Sequence, residues 1–384
     1  MKVLVIGGGA AGTAAAWRAG QMAQVTVVHD RAGATALSSG ACDLQHWGAT
    51  AGGPLSDEVQ RLLQDLGCWK VAAQDVLVVN ATGQPRWARA CDVGLLDLAP
   101  LAGGRIAVTD LGRLGYDARA WVATLNTAAW SRDTHTTFEA VSNCVPAPEA
   151  VRANDYDFAA MQDDEAQVRS LGDALSSAHR GFQAWLLPPS LGVAQCVRDK
   201  LEQRLGVKVG ECLSQPGGPA GARFEAARDA LFARRGIAQV RGQVVSLSAT
   251  VQGWSARWRD AGGEQVLDVD RVIVACGGIV SGGLRLGQPR LEQPGSRGFE
   301  LSLGLQVPLA VAGARIDQVG SLHGVDFSQA GLSLLEKIGV IAADTQIEGM
   351  PGLFAAGDVI ANGARSVLGA LVSGCRAGLR AGSI

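Results

Sequence analysis

The chain has 384 residues with a formal net charge of -2, of which 47% are hydrophobic, 18% charged and 51 are glycine. That length exceeds one comfortable core and implies two domains, one inserted in the other, and the composition excludes a disordered chain in favour of a compact α/β protein with many tight turns. Lys and Arg are scattered rather than clustered, so no electrostatic footprint for nucleic acid exists. The eight cysteines, at 42, 68, 91, 144, 196, 212, 276 and 375, include no C-x-x-C pair, and no His stands at zinc-ligand spacing. This argues against zinc or an iron–sulfur cluster held by the chain itself. Arg365, Arg376 and Arg380 punctuate the hydrophobic C-terminal stretch, so no apolar run of the roughly 18 residues a membrane span needs is expected. With a first strand starting at Lys2 or Val3 there is no room for a leader, and the expected location is the cytoplasm.

Residues 3–6 (Val-Leu-Val-Ile) read as a buried strand, followed by Gly7-Gly8-Gly9-Ala10-Ala11-Gly12, an alanine-rich helix to about Gly20 and a second strand at 25–28. Gly7, Gly9 and Gly12 fit G-x-G-x-x-G in its mechanical setting, between a strand and a helix that Ala10 and Ala11 open. The first glycine makes the turn, the second lets backbone approach a diphosphate, and the third lets helix and strand pack closely. The diphosphate then meets the unpaired N–H groups of the helix N-terminus. A plain tight turn is the alternative, and the strand-turn-helix context favours the nucleotide. The acid expected to grip a ribose diol at the end of the second strand is replaced by His29, with Asp30 one residue later. Either Asp30 takes over after a small shift, or the adenosine end is held loosely or is absent, which leaves FAD and FMN both open.

Further along, strands are expected at Val76–Val79 and Ile106–Val108 and helices at about 117–129 and 160–178. The loop Leu186-Leu187-Pro188-Pro189-Ser190 leads into a helix that Ser190 is expected to cap. A helix at about 221–235 ends near Gly236, a strand meander spans about 238–259, and residues 272–275 form a buried strand that breaks into Gly277-Gly278. A Gly- and Pro-rich linker at 281–298 precedes the closing stretch, Leu353-Phe354-Ala355-Ala356-Gly357-Asp358-Val359 and a helix from about Val367 to Ala381. The expected domains are thus 1–75 with 216–384, binding a dinucleotide, and an inserted substrate-side domain, 76–215.

Ala275-Cys276-Gly277-Gly278 resembles the late strand that passes beside the adenosine part of the cofactor in two-domain FAD proteins, and Gly357-Asp358 resembles their terminal motif, whose Asp meets the ribityl chain or diphosphate. More narrowly, the chain resembles the B-type subunits of anaerobic glycerol-3-phosphate dehydrogenase, on four segments in order: 37–44 (Leu-Ser-Ser-Gly-Ala-Cys-Asp-Leu), 186–192 (Leu-Leu-Pro-Pro-Ser-Leu-Gly), 274–284 (Val-Ala-Cys-Gly-Gly-Ile-Val-Ser-Gly-Gly-Leu), and the Gly357 segment with its helix. Residues 45–180 match poorly, and Asn362-Gly363-Ala364-Arg365-Ser366 departs from the family's glycine-rich stretch. The resemblance implies an α/β fold, a Rossmann-like FAD/NAD(P)-binding domain assembled from both chain ends with an inserted α+β domain. It also implies a flavin cofactor, oxidation of sn-glycerol 3-phosphate, and partner subunits carrying iron–sulfur clusters and a second flavin, through which the protein would lie at the inner face of a membrane.

Ser38-Ser39-Gly40 stands one short loop after the second strand, where hydroxyls and N–H groups reach a cofactor, or else it is a serine-rich turn. The N–H groups near Ser366–Gly369 either aim the helix dipole at a flavin edge or form a plain cap. Cys42 and Cys276 flank the expected cofactor as packing residues. No acid–base pair follows from spacing. His46, near the serine loop, and Arg180 are the weak catalytic candidates, with Arg180 equally a solvated helix end, while His135, His179 and His323 read as surface or core residues. The competing functions are a flavin-dependent dehydrogenase subunit, a flavin-carrying subunit without substrate chemistry, and a nicotinamide-dependent dehydrogenase.

Overall fold

The computed structural model describes residues 1–43, 55–142, 144, 152–286, 299–303, 305, 307–311, 314–316, 336–363 and 365–383. His46, His323 and residues 287–298 of the expected linker lie outside the described residues. The chain divides into two compact units, residues 1–35, 43–62 and 229–384, and residues 36–42 and 63–228.

The first unit is a Rossmann-like α/β fold. Its main sheet runs, among the described residues, in the order Ala238–Arg241, Gln24–His29, Lys2–Ile6, Arg271–Val274, Leu353–Ala355, Gln346–Ile347, Ala342–Ala343. The first five strands are parallel, and each of the last two pairs antiparallel with the strand before it in this order. The strand that begins the chain is central, with Val3 opposite both Val25 and Arg271. Because a sheet covered on both faces has no polar side, these strands are apolar at nearly every position. Val3, Val5, Val25, Val27 and Ile273 pack against helices, and Leu4, Ile6, Val28, Val272 and Val274 face the opposite way. That opposite face is covered by an antiparallel meander, Gln243–Thr250, Gly253–Asp260 and Gly263–Val269, through Leu247, Trp254 and Trp258.

The expected meander therefore began too early. Ala238–Arg241 joins the parallel sheet beside the second strand instead, in register from Ala238↔Thr26 to Arg241↔His29, because Phe232 and Ile237 just before it are buried in the helix-side core.

On the helix side, Ala10–Ala19 and the closing helix Val367–Gly382 pack backbone to backbone. Gly374, Gly378 and Gly382 recur every four residues, on one helical face, and meet Ala11, Ala15 and Ala19. A Cβ at Gly378 would come within 2.5 Å of the Ala15 carbonyl oxygen.

The second unit holds an antiparallel sheet, Ala41–Cys42, Pro85–Asp92 and Trp69–Val79, and a parallel one, Thr137–Ala140, Arg105–Val108, Ala184–Leu187 and Lys208–Glu211. Two expectations change here. The helix expected over 160–178 is two helices, Asp155–Met161 and Glu165–Ala178, since Asp164 turns its carboxylate onto the N–H groups of Ala166 and Gln167 and starts the second afresh. Ser190 caps no helix. The next one, Arg198–Leu205, starts from Val197, and Ser190 is buried with its hydroxyl donating to the Pro188 carbonyl.

Gly378→Val should destabilise the protein by about 1–3 kcal/mol, the usual range for overpacking, through separation of the two helices. Thermal and denaturant unfolding measure it; a wild-type midpoint would refute the close-packed glycine face.

Candidate functional site

The glycine turn is held from below by the sheet. Gly7 has φ +114°, a left-handed value that glycine takes without strain, and a Cβ there would strike the Ala275 carbonyl oxygen. A Cβ at Gly12 would strike the Gly7 carbonyl oxygen. Gly9 differs: within 4 Å a Cβ would meet, among the described residues, only the Thr35 hydroxyl oxygen, at 3.3 Å. Two of the glycines are thus demanded by backbone packing, while at the middle one the described neighbour is the end of a side chain. Thr35, which the sequence did not single out, accepts a hydrogen bond from the Ala10 N–H at 3.0 Å. Gly33 also lies against Gly9, so the loop after the second strand folds over the turn.

Two other turns converge on this one. Ala275 donates to the Ile6 carbonyl, and Ala356 donates to the Val274 carbonyl, so the ends of three adjacent parallel strands are stitched together. Gly357, with φ +73°, sits where a Cβ would come within 2.6 Å of the Ala11 Cβ, and a Cβ on Gly278 would come within 2.7 Å of the Asp358 carbonyl oxygen. The amino-terminal glycine turn, Ala275–Gly278 and Gly357–Val359 therefore share one edge of the first unit. Burial raises the Asp358 carboxyl above its ordinary range, partly offset by the Arg365 guanidinium. Among the described residues nothing hydrogen-bonds that carboxylate, whereas Arg365 is held by the carbonyls of Ile360 and Ile338. Cys276 is pushed up to about 12 by burial, so it is a protonated packing residue.

The end of the second strand settles which way the two candidates for the ribose point. His29 is buried, and its Nε2 lies 2.7 Å from the Gln239 amide nitrogen, which also donates to Asp229 at 2.9 Å. That ring nitrogen is engaged with the neighbouring strand, a contact between distant segments that no spacing marks. Asp30 is exposed, 3.6 Å from the Arg31 guanidinium, and both charges act on the Cys276 thiol across the turn. At the start of the closing helix, the Ser366 hydroxyl caps by accepting from the Gly369 N–H at 3.1 Å, and the Leu368 N–H donates to the Asp43 carbonyl.

Ser38, Ser39 and Gly40 belong to the second unit. Ser38 closes a local turn by accepting from the Gly40 N–H, Ser39 accepts from the Ser214 N–H, and Gly40, with φ +99°, accepts from the Asp92 N–H. Asp92, Glu211 and Arg223 are buried charges that meet in one cluster. Arg223 forks onto Asp92 at 2.6 and 3.2 Å and approaches Glu211 at 2.8 Å. Burial raises the Glu211 carboxyl to about 6, against the opposing pull of Arg223. No spacing in the sequence marks this triad, because its members come from a strand end, another strand end and a helix. Arg180 is exposed and hydrogen-bonds the carbonyls of Ser177 and His179, as a helix-end residue does. Elsewhere in this unit a cavity of about 580 Å³ is lined by residues including Arg113, Tyr116 and Asp155, which are bonded to one another at 3.1 and 2.7 Å through the Asp155 carboxylate.

No family model matches the chain, and no curated protein is similar to it in sequence. Solved structures are similar at a distance. A flavoprotein/dehydrogenase from Cytophaga hutchinsonii aligns at 11% identity over 72% of this chain and 39% of its own, with a TM-score of 0.26. Iminodiacetate oxidase from a Chelativorans species aligns at 16% identity over 98% and 93%, with a TM-score of 0.31. A geranylgeranyl bacteriochlorophyll reductase-like protein from Thermoplasma acidophilum aligns at 14% over 97% and 76%, with a TM-score of 0.32. Three of the similar structures are spanned over only 35 to 39% of their length. The fold assignment rests on the strand order itself. No described helix is long and apolar enough to cross a membrane.

A carboxyl whose native pKa lies above its unfolded value binds more protons when folded, so its contribution to stability falls as pH rises between the two values. For Glu211 the window runs from the ordinary 4.5 to about 6. Glu211→Gln should lose that slope: relative to wild type it gains on the order of 2 kcal/mol between pH 4.5 and 6.5. Unfolding curves across this range measure it, and parallel profiles for the two proteins would contradict the raised carboxyl.

Proposed function

We propose that the chain is a flavin-dependent oxidoreductase whose first unit binds the cofactor, FAD in the main reading and FMN in the alternative. The observation that supports it is the convergence of the Gly7–Gly12, Ala275–Gly278 and Gly357–Val359 turns at the carboxyl ends of three adjacent parallel strands, where doubly wound sheets take their ligands. The residues fit such a group. A Cβ on Gly9 would meet, among the described residues, only the end of the Thr35 side chain, so backbone is left bare at the turn, and Asp358 is a desolvated carboxylate lacking a hydrogen-bond partner among the described residues. A flavin, when bound, accepts a hydride from a substrate and passes electrons on singly.

In this reading Gly9 and Ala11 would present backbone N–H groups, and the helix its positive end, to a diphosphate lying beside the Ala10 N–H, which donates to the Thr35 hydroxyl. Asp30 accepts from a ribose diol in place of His29, whose ring is turned to Gln239. Asp358 accepts from a hydroxyl of the ribityl chain, which restores the solvation that burial removed. Ala275, Cys276 and Gly277 pack beside the adenosine part. Ser38, Ser39 and Gly40 are assigned to the cofactor by family resemblance alone.

The finer reading, also from resemblance, is that the substrate is sn-glycerol 3-phosphate, oxidised to dihydroxyacetone phosphate, with electrons leaving to a partner that carries iron–sulfur centres and a second flavin. The competing reading is a flavin-carrying relay subunit without substrate chemistry, which the exposed, helix-capping position of Arg180 favours by removing one catalytic candidate.

Purified protein should show the absorbance band of oxidised flavin near about 450 nm, and acid release followed by mass spectrometry should identify FAD rather than FMN. Bleaching by glycerol 3-phosphate in the absence of a partner would eliminate the relay reading; bleaching by dithionite alone would eliminate independent dehydrogenase activity. A colourless protein would defeat the flavin proposal. Gly9→Val should melt within about 1 kcal/mol of wild type, as helix-start substitutions do, while retaining at least tenfold less cofactor. Unchanged cofactor content in that variant would remove the diphosphate from this turn.

A further inference from the structure

We propose that the buried Arg223–Asp92–Glu211 triad is a positioning device, a single anchor that fixes the Ser38–Gly40 loop and the Pro188–Gly192 loop of the second unit to each other. The two loops are far apart in the chain and share no secondary structure. Both end on the triad. On one side the Asp92 N–H donates to the Gly40 carbonyl at 2.7 Å, and a Cβ on Gly40 would lie 3.1 Å from the Asp92 Cβ. On the other, Arg223 Nη1 donates to the Gly192 carbonyl at 2.6 Å, and the Ser190 N–H donates to Glu211 Oε2 at 2.9 Å. The same guanidinium joins the halves through its fork onto Asp92 and its 2.8 Å approach to Glu211. The Pro188–Gly192 loop receives two more fixed points, since Ser190 bonds back to Pro188 and Asp163 accepts from the N–H groups of Val193 and Ala194.

Stability alone is a poor account of this cluster. It carries two acids against one base with essentially no solvent contact, and Glu211 Oε1 accepts no hydrogen bond despite its proximity to Arg223. Well-packed apolar residues would serve a core as well or better, because they escape the desolvation of three ionic groups. What apolar residues lack is direction. A planar guanidinium held by a carboxylate presents its remaining N–H to one backbone carbonyl at a fixed angle, and Glu211 does the same for one backbone N–H. The floor of the cluster is equally specific. Gly94 lies under all three charges, and a Cβ there would stand 2.5 Å from Glu211 Oε1, 2.7 Å from Arg223 Nη2 and 3.0 Å from Asp92 Oδ1.

That the Ser38–Gly40 loop serves a cofactor rests on the proposed function; the anchoring itself does not. Gly94→Ala displaces the triad without removing a charge, and Arg223→Lys keeps the charge but loses the fork. Hydrogen exchange followed by mass spectrometry on the purified full-length chain, with whatever cofactor it carries, reads peptides covering 36–42 and 188–194 against a reference over Arg105–Val108. In each variant, exchange in both loop peptides should rise together by at least tenfold while the reference keeps its wild-type rate. The inference is overturned if one loop responds without the other, if neither does, or if the reference rises equally in both variants, which is what a merely stabilising cluster would give. Should Gly94→Ala fail to fold, Arg223→Lys carries the same three outcomes. Absence of a flavin chromophore would defeat the proposed function and leave the loop result unaffected.

Discussion

The register that sets Val3 to Ile6 against Arg271 to Val274 is the constraint on which the first unit depends. It brings the start of the chain between two strands, one local and one from far along the sequence, and so places the Gly7 turn directly beside Ala275. The contact tolerates no side chain on Gly7, since the Ala275 carbonyl occupies the space a Cβ would need. From that junction the rest follows in order. The Gly7 turn aims the first helix, the first helix sets the line along which Gly374, Gly378 and Gly382 pack, and the closing helix holds the Gly357 turn against Ala11.

Close approach of backbones is what distinguishes the edge of this sheet, the candidate site, from an ordinary loop cluster. Three turns from distant segments end within van der Waals reach of one another, and one of them, at Gly9, is approached among the described residues by the Thr35 side chain and Gly33 but by no strand backbone. The electrostatics agree with that geometry. A helix N-terminus stands at this edge, and Asp358, on the converging Gly357 turn, is desolvated without a hydrogen-bond partner among the described residues. Its neighbour Arg365 is occupied by backbone carbonyls.

The second unit solves a different problem with different chemistry. Its parallel sheet buries one apolar cluster on each face, the second shared with Leu77 and Val79 of the antiparallel sheet, and the Ser38–Gly40 and Pro188–Gly192 loops are in addition bonded by ionic side chains. Directional bonds from a buried guanidinium and a carboxylate hold backbone groups that hydrophobic packing would leave free to slide.

By itself the sequence determined the elements whose signals are local. The apolar runs at 3–6, 25–28 and 272–275, the glycine spacing at 7, 9 and 12, and the small-residue helix after Val367 are legible because a strand buried on both faces, a tight turn and a helix packed on its backbone each leave a composition that neighbours in sequence share. Ser366, by contrast, could be read as a cap or a dipole, and only the structure showed its hydroxyl on the Gly369 N–H. Tertiary structure alone decided that His29 faces Gln239 while Asp30 stays exposed, that Ala238–Arg241 belongs to the parallel sheet, and that Asp92, Glu211 and Arg223 meet. Those outcomes depend on which distant backbone lies alongside, and no periodicity within one segment encodes its partner.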